Sequence, residues 1–350
     1  MIKRRLTREV TVGNIKIGGN NPIAVQSMTN TDTRDVDKTV KQIKSLEEMK
    51  CDIIRCAVPD MEAAESIKYI VKDVNIPVVA DIHFDYKLAL KCIENNIAAV
   101  RINPGNIGSE DKIRSVLEAA KDKNIPIRIG VNSGSLEKDI LSKYGSPCSE
   151  ALVESALRNI EILEKYNFYN SVISIKSSDV YKTIKAYRLL SEKVDYPLHL
   201  GVTEAGTTFS GTIKSSIGIG TLIAEGIGDT IRVSLTGDVR DEIRVGREIL
   251  KSLGYINEGV KFISCPTCGR TQIDLINLAK QAEEKLQHID KNIKVAIMGC
   301  AVNGPGEAKD ADIGIAGGKG EGLIFKKGLI VRKVREDKLL EELIKEIENM

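Results

Sequence analysis

From residue 23 onward the sequence alternates, eight times over, a short run rich in valine and isoleucine with a longer segment whose apolar residues recur at helical spacing. The runs fall at 23–28, 52–58, 78–83, 99–103, 127–132, 171–176, 198–203 and 230–235. The helical segments lie near 37–50, 60–72, 85–95, 109–123, 148–166, 179–193, 211–226 and 238–253. Strands separated by helices pair in parallel through crossover connections, so each repeat reads as one βα unit. Eight units in about 255 residues predict a closed (β/α)8 TIM barrel in preference to an open doubly wound sheet. The open sheet would also need a nucleotide turn. The nearest match, Gly218 with Gly220 at an expected helix start, lacks the third glycine.

After about residue 255 the rhythm changes. There follow a cysteine pair, a helix with apolar residues at 275, 279, 282, 286 and 289, and a strand ending in Met298-Gly-Cys. A glycine-rich loop, a strand pair around Gly328 and a charged helix from about 336 complete the chain. The expected division is a barrel at 1–254 and a small α/β domain at 255–350, both α/β in class.

The 51 basic and 49 acidic side chains leave a net charge of only +2, so no global field draws the chain to nucleic acid or to an acidic membrane. The basic start, MIKRRLTREVTVGN, is not followed by the apolar stretch of a signal peptide, and no apolar run is long enough to span a bilayer. The expected compartment is the cytoplasm, where the seven cysteines would be reduced. Clustered cysteines then read as metal ligands or catalysts.

In a TIM barrel the active site lies where the strands end. Here those strands carry cations: Arg55, Arg101, Arg128, Lys176 and Arg232. Unpaired buried charges are expensive, and the acids near the strand ends, Asp81 and Glu204, are too few to match them. The surplus favours an anionic, phosphorylated ligand held by charge-assisted hydrogen bonds. Gln26, Ser27, Asn30, His83, Asn103, Asn132, Ser177, Thr203 and Ser234 fall at the same mouth, as binding groups or as loop and cap residues. Glu204, in Gly-Val-Thr-Glu-Ala-Gly, is placed to move a proton or to cap a helix.

Cys265-Pro-Thr-Cys268 is followed, after 31 intervening residues, by Cys300, in Met-Gly-Cys-Ala-Val-Asn-Gly-Pro-Gly-Glu. A structural zinc site wants a fourth close ligand, and a redox dithiol wants a thioredoxin-type setting. Three thiolates fit an iron–sulfur cluster better, with a weaker fourth ligand that leaves one iron open to substrate. Glu307, brought back by the Gly-Pro-Gly turn, is the natural weak ligand. Cys51, Cys56, Cys92 and Cys148 lie singly and read as small core residues.

Six stretches together resemble the 4-hydroxy-3-methylbut-2-enyl diphosphate synthase family. They are Val25-Gln-Ser-Met-Thr-Asn-Thr-Asp-Thr, Arg101-Ile-Asn-Pro-Gly-Asn, Gly130-Val-Asn-Ser-Gly-Ser, His199-Leu-Gly-Val-Thr-Glu-Ala-Gly, Cys265-Pro-Thr-Cys-Gly-Arg and the Cys300 motif. The resemblance implies the bacterial two-domain form, and a reductive ring opening of 2-C-methyl-D-erythritol 2,4-cyclodiphosphate with loss of water, in the non-mevalonate isoprenoid pathway. It implies a [4Fe–4S] cluster on Cys265, Cys268, Cys300 and Glu307. It assigns the cyclodiphosphate to Arg55, Arg101, Arg128, Asn132, Lys176, Arg232 and Ser234, with Glu204 as proton donor. A flavodoxin or ferredoxin would deliver electrons singly, and a homodimer would build each active site across subunits. The rival readings are a phosphate-binding barrel lyase with a structural zinc knuckle, and a partner- or RNA-binding knuckle protein.

Overall fold

The computed structural model describes residues 2–286, 288–300, 306 and 308–350, and the chain divides into two compact units, Met1–Ile256 and Asn257–Met350. The first opens with a hairpin, β1 (Val10–Val12) and β2 (Ile15–Ile17). Its parallel strands are β3 (Ala24–Met28), β4 (Ile53–Ala57), β5 (Val78–Asp81), β6 (Ala99–Ile102), β7 (Ile127–Asn132), β8 (Ser171–Lys176), β9 (His199–Leu200) and β10 (Thr230–Ile231). They run in the order β8-β7-β6-β5-β4-β3-β10-β9, and a bridge between Ile173 and Leu198 brings the two ends together. The result is a nearly closed eight-stranded barrel, as the eight repeats predict.

The period-2 alternation of the strands sorts their residues into two environments. Ile54, Cys56, Val100, Ile102, Ile129 and Ile173 face outward and join the helices in one large core. Ala24, Ile53, Val79, Ala99 and Val172 face inward at the starts of their strands, and Val10, Val12 and Ile17 of the hairpin pack against them. The hairpin thus plugs the N-terminal end of the barrel. Two residues further along, the inward positions change character to Gln26, Arg55, Asp81 and Arg101.

The covering helices are α1 (Val36–Glu48), α2 (Met61–Asp73), α3 (Tyr86–Glu94), the short α4 (Pro104–Ile107), α5 (Glu110–Asp122), α6 (Lys138–Tyr144), α7 (Ser149–Lys165), α8 (Val180–Ser191), α9 (Thr208–Ala224) and α10 (Val239–Ser252). Five of them begin with an aspartate that accepts a backbone N–H in the first turn: Asp35, Asp60, Asp85, Asp179 and Asp238. These acids lie just beyond the strand ends, yet capping occupies them.

Gly218, expected at a helix start, lies well inside α9. A Cβ there would come within 2.7 Å of Val202 Cγ2, so the glycine lets the helix pack closely on the barrel. The ladders of β9 and β10 are shorter than the runs at 198–203 and 230–235, and at β9 a side chain enters the seam with β8. Ile173 N–H donates to Pro197 O at 2.9 Å. Two residues on, Ile175 N–H donates instead to the hydroxyl of fully buried Tyr187 at 3.0 Å, and that hydroxyl donates to His199 O. A phenol is thereby interposed where a direct rung would stand.

The second unit has one five-stranded sheet, ordered β11 (Val260–Ser264), β12 (Ile293–Met298), β13 (Ile313–Gly317), β14 (Glu321–Lys326) and β15 (Leu329–Arg335). The first three are parallel and the last three antiparallel, with the expected strand pair turning at Gly328. α11 (Leu275–Leu286) and α12 (Leu339–Glu348) bury Leu275, Ala282, Leu286, Leu339, Leu343 and Ile347 against this sheet. Among the described residues no helix is long and apolar enough to cross a membrane.

Candidate active site

Inside the barrel, five cations gather above the apolar floor, because alternate residues of different strands point to the same axis. Arg101 Nη1 meets Asp81 Oδ1 at 3.1 Å, and Arg55 Nε lies 3.4 Å from Asp81 Oδ2. Arg232 Nη2 lies 3.5 Å from Glu242 Oε1. Arg128 donates through Nη1 to Gln26 Oε1 and leaves Nη2 without a partner among the described residues. Lys176 Nζ stands 3.4 Å from His199 Nε2. Asn132 ends β7, where its amide oxygen can accept from Arg101 Nη2 at 3.2 Å, and Ser234 lies two residues beyond Arg232; both are partly exposed.

Two glycines make room for this ring. A Cβ at Gly130 would overlap the Arg101 guanidinium, and one at Gly201 would come within 2.9 Å of Lys176 Nζ and 2.7 Å of Arg232 O. The cations depress one another's basicity. Burial, then the charges of Arg55 and Arg101, lowers Arg128 well below the ordinary arginine range. Burial, then Arg232 and Arg55, does the same to Lys176. Burial brings Arg55 down to about 10. Burial by itself would raise the Asp81 carboxyl, but Arg55 and Arg101 hold it below its usual value. Five cations facing Asp81 and Glu242 leave three positive charges in a low-dielectric cup, which a multiply charged anion would neutralise.

The second interior carboxylate differs from the expected one. Glu204 is exposed in the turn after β9, with a left-handed backbone, φ 52°. Glu242, from the first turn of α10, takes the interior place and also accepts from Ser27 Oγ at 2.8 Å and Leu235 N–H at 3.0 Å. An acid in a first turn ordinarily answers the helix dipole, so the sequence gives no sign of this inward reach. His83, half exposed, has Nε2 3.9 Å from Asp81 Oδ2. His199 and Tyr187 are further site residues that a periodicity reading absorbs into the core.

The cysteine loop sits at the carboxyl ends of β11 and β12. Cys265 follows β11 directly, and its N–H donates to Ile297 O at 3.3 Å while its Sγ accepts from Gly299 N–H at 3.2 Å. Gln272 N–H donates to Gly299 O at 3.0 Å, so the loop is tied to the strand end that leads into Cys300. Donors from the backbone and side chain of Arg270 lower the Cys268 thiol, which favours the thiolate form that binds metal. By contrast burial pushes Cys51 and Cys92 up to about 12 and Cys56 to about 11, which keeps them inert. Cys148 caps α7, its Sγ accepting from Ala151 N–H at 3.5 Å.

The donor set of three soft thiols on neighbouring strand ends, one of them biased to thiolate, suits iron–sulfur ligation in chemical type. Among the described residues, no three His, Cys, Asp or Glu side chains converge closely enough to hold a metal ion. Glu307, the expected fourth ligand, lies outside the described residues.

The chain matches a family model described as the GcpE TIM-barrel domain over residues 7–247, and one described as the GcpE protein C-terminal domain over residues 261–349. It is 67% identical over 349 residues to the 4-hydroxy-3-methylbut-2-en-1-yl diphosphate synthase (flavodoxin) of Clostridium perfringens, covering 100% of both chains. It is 68% identical over 351 residues to the like-named protein of Caldanaerobacter subterraneus, covering 100% of this chain and 99% of that one. Among solved structures, Plasmodium falciparum HPPK-DHPS with pterin and p-hydroxybenzoate superposes with a TM-score of 0.51 at 12% identity. That match covers 71% of this chain and 49% of the other, and is a likeness of fold alone.

Proposed function

The chain belongs to the 4-hydroxy-3-methylbut-2-en-1-yl diphosphate synthase family, and from that premise we propose which of its side chains carry which part of the reaction. It is an oxidoreductase that opens the ring of 2-C-methyl-D-erythritol 2,4-cyclodiphosphate and removes a hydroxyl, giving (E)-4-hydroxy-3-methylbut-2-enyl diphosphate. The conversion consumes two electrons and releases one water. Membership of this iron–sulfur family displaces the lyase with a zinc knuckle and the RNA-binding reading.

The observation that carries the assignment is the ring of Arg55, Arg101, Arg128, Lys176 and Arg232, with only Asp81 and Glu242 among the described residues to answer it. In our reading these cations, with Asn132 and Ser234, bind the cyclic diphosphate at the barrel mouth. Each charge-assisted bond contributes about 1.5–3 kcal/mol and offsets part of the cost of burial. Glu204 stands on the rim with its carboxyl exposed, so it can exchange its proton with solvent between turnovers and deliver it to the departing hydroxyl. Its left-handed backbone aims the side chain at some cost in strain.

In the same reading the barrel unit binds substrate, and Cys265, Cys268, Cys300 and Glu307 of the second unit hold a [4Fe–4S] cluster. Bound there, the cluster would supply electrons one at a time and a Lewis-acidic iron with an open position. The thiols favour iron over hard cations, and the lowered Cys268 prepares one of them as thiolate. The flavodoxin in the relatives' names supports flavodoxin as the electron donor, and ferredoxin is the alternative carrier. We further infer a cytoplasmic homodimer with the active site shared across subunits.

The test is anaerobic purification with iron, sulfide and zinc analysis and a visible spectrum. About four iron and four sulfide per chain, with absorbance near 400 nm, are expected of a Cys3Glu-held cluster. Cys300→Ser should abolish them, and Glu307→Ala should alter the spectrum while retaining most of the iron. Zinc without iron would overturn the cluster assignment.

A further inference from the structure

Beneath the ring of cations lies a void of about 20 Å³, bounded by Val12 and Ile17 of the hairpin and by residues of the barrel interior. Three of the residues that line it each leave a buried polar atom without a hydrogen-bond partner among the described residues: Arg128 Nη2, His199 Nδ1 and Thr230 Oγ1. A void needs about 10–15 Å³ and two to four polar partners to hold a water. This one meets both requirements. His199 is fully buried, and its other ring nitrogen faces the ammonium of Lys176 at 3.4 Å.

We propose that one structural water occupies this void, bridging His199 Nδ1, Arg128 Nη2 and Thr230 Oγ1, and that through it His199 becomes a positioning residue for Lys176. The donor and acceptor count closes in one way. An ammonium has only donors, so His199 Nε2 accepts from Lys176 and the ring hydrogen sits on Nδ1. Nδ1–H and Arg128 Nη2–H then donate to the water, and the water donates to Thr230 Oγ1. The groups that surround His199, namely Arg55, Arg128, Lys176 and Arg232, are all cationic, and with burial they keep the imidazole neutral. A neutral ring with a fixed tautomer holds Nζ at one point of the barrel wall, below the place given above to the diphosphate. The inference rests on that reading of Lys176.

The first test is the nitrogen-15 spectrum of histidine-labelled holoenzyme, in which only His83, His199 and His288 contribute. His199 should show the Nδ1–H tautomer, unchanged between about pH 6 and 9 although an ordinary histidine titrates near 6.5. An Nε2–H tautomer, or titration in that range, would overturn the proposal. The second test separates positioning from folding. His199→Leu should raise KM for the cyclodiphosphate about tenfold with kcat within about twofold, whereas His199→Gln, which keeps an acceptor toward Nζ, should restore KM to within about threefold. Thr230→Val, which removes one partner of the water, should raise KM by a smaller factor. Unchanged KM in His199→Leu, while Lys176→Met binds poorly, would overturn the positioning role alone. Unchanged KM in Lys176→Met would overturn the reading of Lys176 and this inference with it. Should His199→Leu fail to fold, the tautomer of the wild-type protein decides.

Discussion

Replacing Arg128 and Gln26 together by Met and Leu should stabilise the ligand-free barrel while destroying its affinity for substrate. Arg128 is buried, is joined by Gln26 alone among hydrogen-bonding side chains in the described residues, and stands among Arg55, Arg101, Arg232 and an Asp81 carboxylate that Arg55 and Arg101 already engage. Exchanging buried ionic groups for well-packed apolar ones is often neutral or stabilising by about 1–4 kcal/mol. Removing Gln26 as well avoids leaving its oxygen unpaired, which would cost about 1–3 kcal/mol. For a unit of this size each kcal/mol moves the midpoint by about 2–4 °C, so the expected rise is about 2–16 °C. With substrate present the order should invert. Arg128 can offer two charge-assisted bonds of about 1.5–3 kcal/mol each, so their loss weakens binding about 10²–10⁴-fold. The assay is differential scanning calorimetry of both proteins, with and without cyclodiphosphate, beside titration calorimetry for affinity. A double variant that melts below wild type in the absence of substrate would refute the claim that this cation is uncompensated.

Glu204→Gln should leave the melting temperature unchanged and cut kcat by about 10²–10⁴-fold, whereas Glu204→Gly should lose the same activity yet gain about 1 kcal/mol by relieving the left-handed backbone. Steady-state kinetics beside thermal melts check both, and full activity in Glu204→Gln would remove it as proton donor. Tyr187→Phe deletes the hydroxyl that joins Ile175 N–H to His199 O, so a loss of about 2–4 kcal/mol and faster hydrogen exchange confined to β8 and β9 are expected. Lys176 has its pKa lowered well below 10.5, first by burial and then by Arg232 and Arg55, so the unfolded chain binds that proton more tightly than the folded one. Ligand-free stability should therefore rise with pH from the lowered value up to about 10.4, and above that lowered value substrate, whose negative charge favours the ammonium, should be taken up together with a proton. Binding enthalpies in buffers of different ionisation enthalpy measure that uptake, and their independence of buffer would disprove it.

What the sequence made legible was whatever repeats along the chain. The Val/Ile runs located the strands because buried parallel strands need apolar residues on both faces, and the arginines among them stood out as violations of that pattern. The cysteine spacing was legible for the same reason, as a local motif with a chemical purpose. Three features escaped because they depend on what the fold brings together. The hairpin strands Val10–Val12 and Ile15–Ile17 are too short to show a period. Glu242 looks like an ordinary first-turn acid until α10 carries it over the barrel wall. Tyr187 reads as a core aromatic on α8, since nothing local shows that its hydroxyl enters a seam between strands. Glu204 lay between the two cases. Its Gly-Val-Thr-Glu-Ala-Gly setting suggested a proton-moving or capping role and an interior place, whereas the left-handed turn that leaves its side chain exposed shows only in the folded backbone.

The hairpin at the bottom of the barrel makes the interior a vessel with one opening. Val10, Val12 and Ile17 seal the lower end against Ala24, Ile53 and Val79. In the reading proposed for the cations, reactant, product and released water would all pass the open end of the barrel where Glu204 is exposed, and they could not pass at once. Traffic would then be sequential: the vessel would empty before it refills, and a full turnover would be bounded by departure as well as by chemistry. A chain with the same cations and a leaking floor would let solvent reach them from below, and their hold on an anion would weaken accordingly.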